Sequence, residues 1–147
     1  PGFKSVTEGS IQCIPCEPHT TSVYGAASCD ICSEGFYREN AATQASPEAC
    51  RDCMANAKCP MNSTLQSIVL SGNFWRLSLH SEELSSCYSG SHGTSCLGGV
   101  ATDVAVDDGG YCSPNTTGPL CQVCRSQDRY FSKGRGICQK CPSVQRA

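Results

Sequence analysis

Five Cys-x-x-Cys pairs, Cys13/Cys16, Cys29/Cys32, Cys50/Cys53, Cys121/Cys124 and Cys138/Cys141, hold ten of the fourteen cysteines in this 147-residue chain. The other four, Cys59, Cys87, Cys96 and Cys112, stand singly. Cysteine at about one residue in ten leaves two designs, a disulfide framework or a row of metal sites. Leu, Ile, Val and Phe supply only 24 of the 147 residues, below the roughly 20% of a chain with a sound apolar core. Disorder of the charged kind is excluded by a net charge of only −2. Cross-links must therefore substitute for oil. Each disulfide that closes a loop of about a dozen residues contributes roughly 2–4 kcal/mol, mainly by restricting the unfolded chain.

Two stretches carry four-cysteine spacings that suit zinc, Cys29/Cys32 with Cys50/Cys53 and Cys121/Cys124 with Cys138/Cys141. Six cysteines fall outside those sets, four of them single. Two Asn-x-Ser/Thr acceptor sites, at Asn62 and Asn115, have meaning only in the secretory route. The sequence is thus read as oxidised, extracellular or on the cell surface, with N-glycans at Asn62 and Asn115. Zinc-ribbon binding is the second alternative.

A register for the bonds follows if the first cysteine of each pair closes the loop behind it and the second opens the loop ahead. The expected bonds are Cys16–Cys29, Cys32–Cys50, Cys53–Cys59, Cys87–Cys96, Cys112–Cys121 and Cys124–Cys138. Cys13 and Cys141 are left over, and the rule assigns them partners before Pro1 and beyond Ala147. The centre is open to another pairing, Cys50–Cys59 with Cys53–Cys87. The opening Pro1-Gly2-Phe3, with no initiator Met, reads as a processed product or a segment of a longer chain.

Residues 1–59 repeat a unit in which a glycine beside an aromatic precedes a cysteine pair: Gly2-Phe3, Tyr24-Gly25 and Gly35-Phe36-Tyr37. The glycine is expected to make the turn and the ring to cover the neighbouring disulfide. Ser46-Pro47-Glu48 reads as a helix start of one turn. These residues resemble the ephrin-receptor-like cysteine-rich repeat, a relative of the tumour-necrosis-factor-receptor type of module. Residues 112–147 read as a last module that runs into a further repeat, with Cys112, Gly118-Pro119-Leu120-Cys121, Cys124 and Cys138 in order. Residues 112–141 resemble the second half of a laminin-type epidermal-growth-factor module, which implies the Cys112–Cys121 and Cys124–Cys138 bonds. Residues 60–111 form a Trp-containing linker module. There Leu65 to Leu70 reads as a short strand and Ser71-Gly72-Asn73 as a turn. Leu77, Leu84 and His80 are expected to share one face of a helical turn that begins at Phe74-Trp75-Arg76. Trp75 is expected at the centre of this module's core, with Arg76 stacked on it or reaching a partner. The order Gly72 to Arg76, Cys87, Cys96-Leu97-Gly98-Gly99 and Gly118 to Cys121 is similar to that of large cysteine-rich surface proteins of algae and protists. That resemblance implies a multi-repeat extracellular parent.

No catalytic constellation emerges. His19, His80 and His92 lie far apart in loop-like surroundings, and Ser89-Gly90-Ser91-His92-Gly93 is no nucleophile elbow. Glu82 and Glu83 are adjacent and diverge on any regular element. Asp103, Asp107 and Asp108 beside Gly109-Gly110 offer oxygen ligands for calcium but no EF-hand spacing. Lys and Arg are scattered singly, which argues against nucleic acid. The longest aliphatic run, Ile68-Val69-Leu70, cannot span a bilayer.

The expected fold is an elongated tandem array of small disulfide-rich modules, mostly irregular, with short β-hairpins and little helix. The expected function is non-enzymatic: a structural or adhesive segment of a larger glycoprotein, as spacer, coat or filament block. Partners would be other extracellular proteins or further copies. The first alternative is a receptor ectodomain fragment that binds a protein ligand. No cofactor is expected, and a metal has no assigned site.

Overall fold

The computed structural model describes residues 1–6, 12–101 and 110–142. Asp103, Asp107, Asp108 and Gly109, the calcium candidates and their turn, lie outside the described residues. The described chain is short strands, turns and loops, with two single-turn 3-10 segments, Leu65–Ser67 and Pro119–Cys121, and no α-helix. It divides into two compact units, Pro1–Val69 and Leu70–Ala147.

A recurring turn explains why strands of two or three residues form at all. The backbone N–H of Thr20, Phe36, Ala57 and Ser63 donates to the carbonyl three residues back, on Glu17, Ser33, Met54 and Pro60, at 3.1–3.2 Å. Each of those acceptors directly follows a cysteine. The third residue of each turn, His19, Gly35, Asn56 or Asn62, has φ between 65° and 86°. Asn and Gly reach that left-handed region at least cost, which is why they stand there. Phe74 makes the same bond to Ser71, with Asn73 at φ 76°. The cysteine thus fixes the turn's entry and the corner residue reverses the chain.

In the first unit, Phe3–Ser5 pairs antiparallel with Cys13–Pro15, and Thr20–Thr21 with Ile31–Cys32. Phe36–Arg38 lies between antiparallel Arg51–Asp52 and parallel Ser63–Thr64. Cys32, Ala45 and Cys50 form a buried cluster with Phe36 packed against it. Ser46 to Cys50 makes the single turn expected, with the Cys50 N–H donating to the Ser46 carbonyl at 2.9 Å and the Ala49 N–H to Ser46 Oγ. Two expectations need correction. Tyr24 covers no disulfide, being 92% exposed, because its own turn points the ring to solvent. Leu65 to Leu70 is a strand only at Val69–Leu70, since Ser67 Oγ accepts the Thr64 N–H at 2.9 Å and winds the first half into a 3-10 turn.

In the second unit, Phe74–Trp75 pairs with Ser85–Ser86, Ser89–Gly90 with Gly93–Thr94, Thr116–Thr117 with Val123–Cys124, and Arg129–Ser132 with Ile137–Lys140. The helical turn expected at 74–84 is therefore a hairpin. Asn73 reverses the chain ahead of it and accepts the Cys87 N–H at 2.9 Å, which holds the two arms in register. Leu77 is 78% exposed at its far end rather than on an apolar face.

The tip of the Ser89–Gly90/Gly93–Thr94 hairpin clasps the turn at 134–136. Ser91 N–H donates to Gly134 O at 3.1 Å and His92 N–H to Arg135 O at 3.2 Å. A Cβ at Gly136 would overlap the Gly93 carbonyl, and one at Gly90 the backbone of Arg135 and Gly136. Gly136 also holds a φ of 72°. Gly136→Ala is therefore expected to cost about 2 kcal/mol or more, from left-handed strain of roughly 1–2 kcal/mol plus loss of the clasp. Gly134→Ala, with open space around its Cβ, should stay within about 0.5 kcal/mol. Hydrogen exchange at the Ser91 and His92 amides reads the difference, and equal protection in both variants would refute the clasp.

Candidate functional site

The sulfur atoms are the chemistry that this fold organises. Disulfides join Cys16–Cys29, Cys32–Cys50, Cys53–Cys59, Cys87–Cys96, Cys112–Cys121 and Cys124–Cys138. These are the six pairs of the alternating register, and the alternative with Cys50–Cys59 and Cys53–Cys87 is not the one formed. Both four-cysteine sets with zinc spacing are divided among these bonds, so neither presents four thiolates together. The turn motif accounts for the pairing. A cysteine just ahead of the turn is brought back beside the cysteine that ends the hairpin, and Cα–Cα separations of 5.3–6.2 Å suit a bridge. Cys96 and Cys112 lie opposite one another in an isolated antiparallel bridge, which sets the Cys87–Cys96 and Cys112–Cys121 bonds side by side. Cys13 and Cys141 are free and exposed.

The two glycosylation candidates occupy matching places. Asn62 and Asn115 are both exposed third residues of a turn whose fourth residue, Ser63 or Thr116, is buried. Ser63 Oγ donates back to Pro60 O at 2.6 Å, and Thr116 Oγ1 to Ser113 O at 3.2 Å. Anchoring the fourth residue inward turns the asparagine outward. Arg38 Nη2 donates to Asn62 Oδ1 at 2.8 Å, and the Arg125 N–H donates to the Asn115 carbonyl at 3.1 Å.

The histidines are not brought together. The His19 ring stacks on Phe36 with centroids 4.2 Å apart, and its Nδ1 lies 3.3 Å from Pro47 O. His92 Nδ1 lies 3.0 Å from Ser91 Oγ at the exposed hairpin tip. His80 sits in an exposed turn. Glu82 and Glu83 are exposed in the loop between Phe74–Trp75 and Ser85–Ser86. Among the described residues, no three His, Cys, Asp or Glu side chains cluster as a metal site.

Sequence reasoning missed the most unusual group in the second unit. Arg76 is only 2% exposed and Tyr111 1%. Arg76 Nε donates to Tyr111 Oη at 2.8 Å, and the guanidinium carbon lies 5.6 Å from the Tyr111 ring centroid. The arginine thus reaches Tyr111 within the same unit. Burial pushes the Tyr111 phenol above its ordinary range, and the neighbouring Arg76 charge and hydrogen bond partly offset this. No sequence signal links two residues 35 apart. The corner residues, by contrast, were discoverable, since a His, Gly or Asn stands three residues after each of Cys16, Cys32, Cys53 and Cys59.

Among the described residues, no helix is long and apolar enough to cross a membrane. No family model, no curated protein and no solved structure matches this chain.

Proposed function

We propose that the chain is an extracellular structural or adhesive segment of a larger cysteine-rich glycoprotein, a spacer, coat or filament block with no catalytic role. The observation that carries this reading is the run of six disulfides, each closed between cysteines 6 to 18 residues apart. Bonds so local let each small module hold itself without a partner distant in sequence, as repeat architectures do. Such bonds persist in oxidising surroundings, which favours the cell exterior. The outward asparagines at 62 and 115 suit glycans, which add bulk without disturbing the buried fourth residue of either turn.

Intact mass and thiol count test the reading. Material secreted from a eukaryotic host is expected to carry two reactive thiols, Cys13 and Cys141, or the same two engaged in further bonds. Reduction should open six internal cystines and add about two mass units for each, since a disulfide takes up two hydrogens. Glycosidase should remove mass at Asn62 and Asn115. Stoichiometric zinc on reduced thiolates would overturn the proposal. A folded monomer that captures one soluble protein, with no higher assembly in electron micrographs, would favour a receptor ectodomain.

A further inference from the structure

Three hairpins share one register. In each, a corner carbonyl accepts the N–H of the second cysteine of a pair: Gly2 from Cys16 at 2.8 Å, Gly35 from Cys53 at 2.8 Å and Asp128 from Cys141 at 2.7 Å. Cross-strand partners then fall in step, Phe3 with Pro15, Phe36 with Asp52 and Arg129 with Lys140. Cys13, Cys50 and Cys138 therefore hold the same place in three hairpins. Cys50 and Cys138 are bonded to Cys32 and Cys124, each just ahead of its corner residue. Cys13 alone is free.

The surroundings differ in the same sense. Beside Cys50, the cystine to Cys32 and Ala45 form a buried cluster that Phe36 packs against. Beside Cys13, Phe3, the counterpart of Phe36, is 56% exposed. A cavity of about 680 Å³ opens there, lined by Phe3, Ser5, Cys13, Val23 and Tyr24 among others. Gly2 and Gly35 have nearly equal φ, 81° and 86°, so the Phe36 hairpin is the closer template. Cys32 stands three residues ahead of Gly35.

We propose that the groove beside Cys13 is a half-built cystine seat. The occupant that fits it is an extended segment joined to Pro1, with a cysteine three residues ahead of Gly2, as Cys32 stands ahead of Gly35, that bonds to Cys13. The bond forms by exchange with a low-molecular-weight disulfide. The Cys13 thiolate attacks one of its sulfurs and releases a thiol, and the incoming cysteine thiolate then displaces the second thiol as the protein bond closes. Two protein thiols are oxidised and the small disulfide is reduced to two thiols. The inference rests on the reading of the chain as an array of modules, because this bond would link one repeat to the next.

The test extends the whole chain by Cys-Ser ahead of Pro1, with a control extension that places the cysteine five residues further away. Both are equilibrated in a glutathione redox buffer and mapped without reduction. The near cysteine is expected to bond Cys13 about tenfold more readily than the far one, as effective concentration falls away from a fitted site. Tyr24 should become less accessible to nitration at the same time. A free Cys13 in the near variant, equal bonding from both positions, or a Cys13–Cys141 link between copies would each overturn the seat. The same map reports the six internal cystines. Their loss would overturn the extracellular reading, whereas their presence beside a free Cys13 would overturn the seat alone.

Discussion

Complete reduction and alkylation is expected to unfold both units, with loss of amide protection at every hairpin and rapid cleavage at the scattered Lys and Arg residues. Each cystine contributes roughly 2–4 kcal/mol, and a domain of this size has only about 5–15 kcal/mol in all. Six such losses, about 12–24 kcal/mol before any discount for bonds that share a neighbourhood, match or exceed that reserve. One buried cluster of the first unit is itself made of the Cys32–Cys50 bridge with Ala45, so reduction loosens that packing along with the cross-link. The bonds should also differ in order of opening, because a reductant must reach the sulfur. In Cys16–Cys29 neither residue is buried, whereas each of Cys32–Cys50, Cys53–Cys59, Cys87–Cys96, Cys112–Cys121 and Cys124–Cys138 has at least one buried partner. Limited phosphine followed by alkylation and peptide mapping should therefore label Cys16 and Cys29 first. A reduced chain that keeps its hairpin amides protected would show that the modules fold without their bonds.

Sequence spacing carried the bonding pattern because alternation along Cys-x-x-Cys pairs is a one-dimensional property, and the turns that enforce it are local. A cysteine, two residues and a Gly, Asn or His place the next strand whatever lies elsewhere. The disulfide-rich, hairpin-based fold class was legible for the same reason. The middle segment was not. Phe74-Trp75-Arg76-Leu77 has helix-compatible spacing to Leu84, and although the turn at Ser71-Gly72-Asn73 was legible, nothing local shows that the Asn73 carbonyl pairs with the Cys87 N–H. Tyr24 failed differently, since burial was inferred from residue type. In a chain this short of buried surface an aromatic ring is as readily left outside. Arg76 was misjudged because a charged side chain is almost never fully buried unless paired, and its partner Tyr111 lies in a different hairpin region.

The cluster around Trp75 and Arg76 carries the largest single-residue effects expected here. Trp75 is buried, and Phe74–Trp75 packs against the Pro119–Cys121 turn. Trp75→Ala should destabilise the second unit by about 3–5 kcal/mol, the usual cost of emptying a buried aromatic site. Its Nε1 makes no hydrogen bond, so the ring is held by packing alone, and Trp75→Phe should recover much of the loss. Tyr111→Phe keeps the ring but strips one acceptor from a buried guanidinium, at a cost of about 1–3 kcal/mol. Denaturant unfolding with the disulfides intact measures all three, and a Trp75→Ala loss below about 1 kcal/mol would mean that the ring is not the centre of this unit. The pH dependence gives an independent check. Burial raises the folded-state value of Tyr111 above the ordinary 10.0, so below pH 10 both states keep the phenol proton and this residue adds no slope. Above it the unfolded chain ionises first, and stability falls as pH rises through the folded value. Absorbance at alkaline pH should show one of the five tyrosines titrating late in the native protein. Tyr111→Phe should abolish that late phase and flatten the alkaline fall, whereas a variant that keeps both would assign them to another tyrosine.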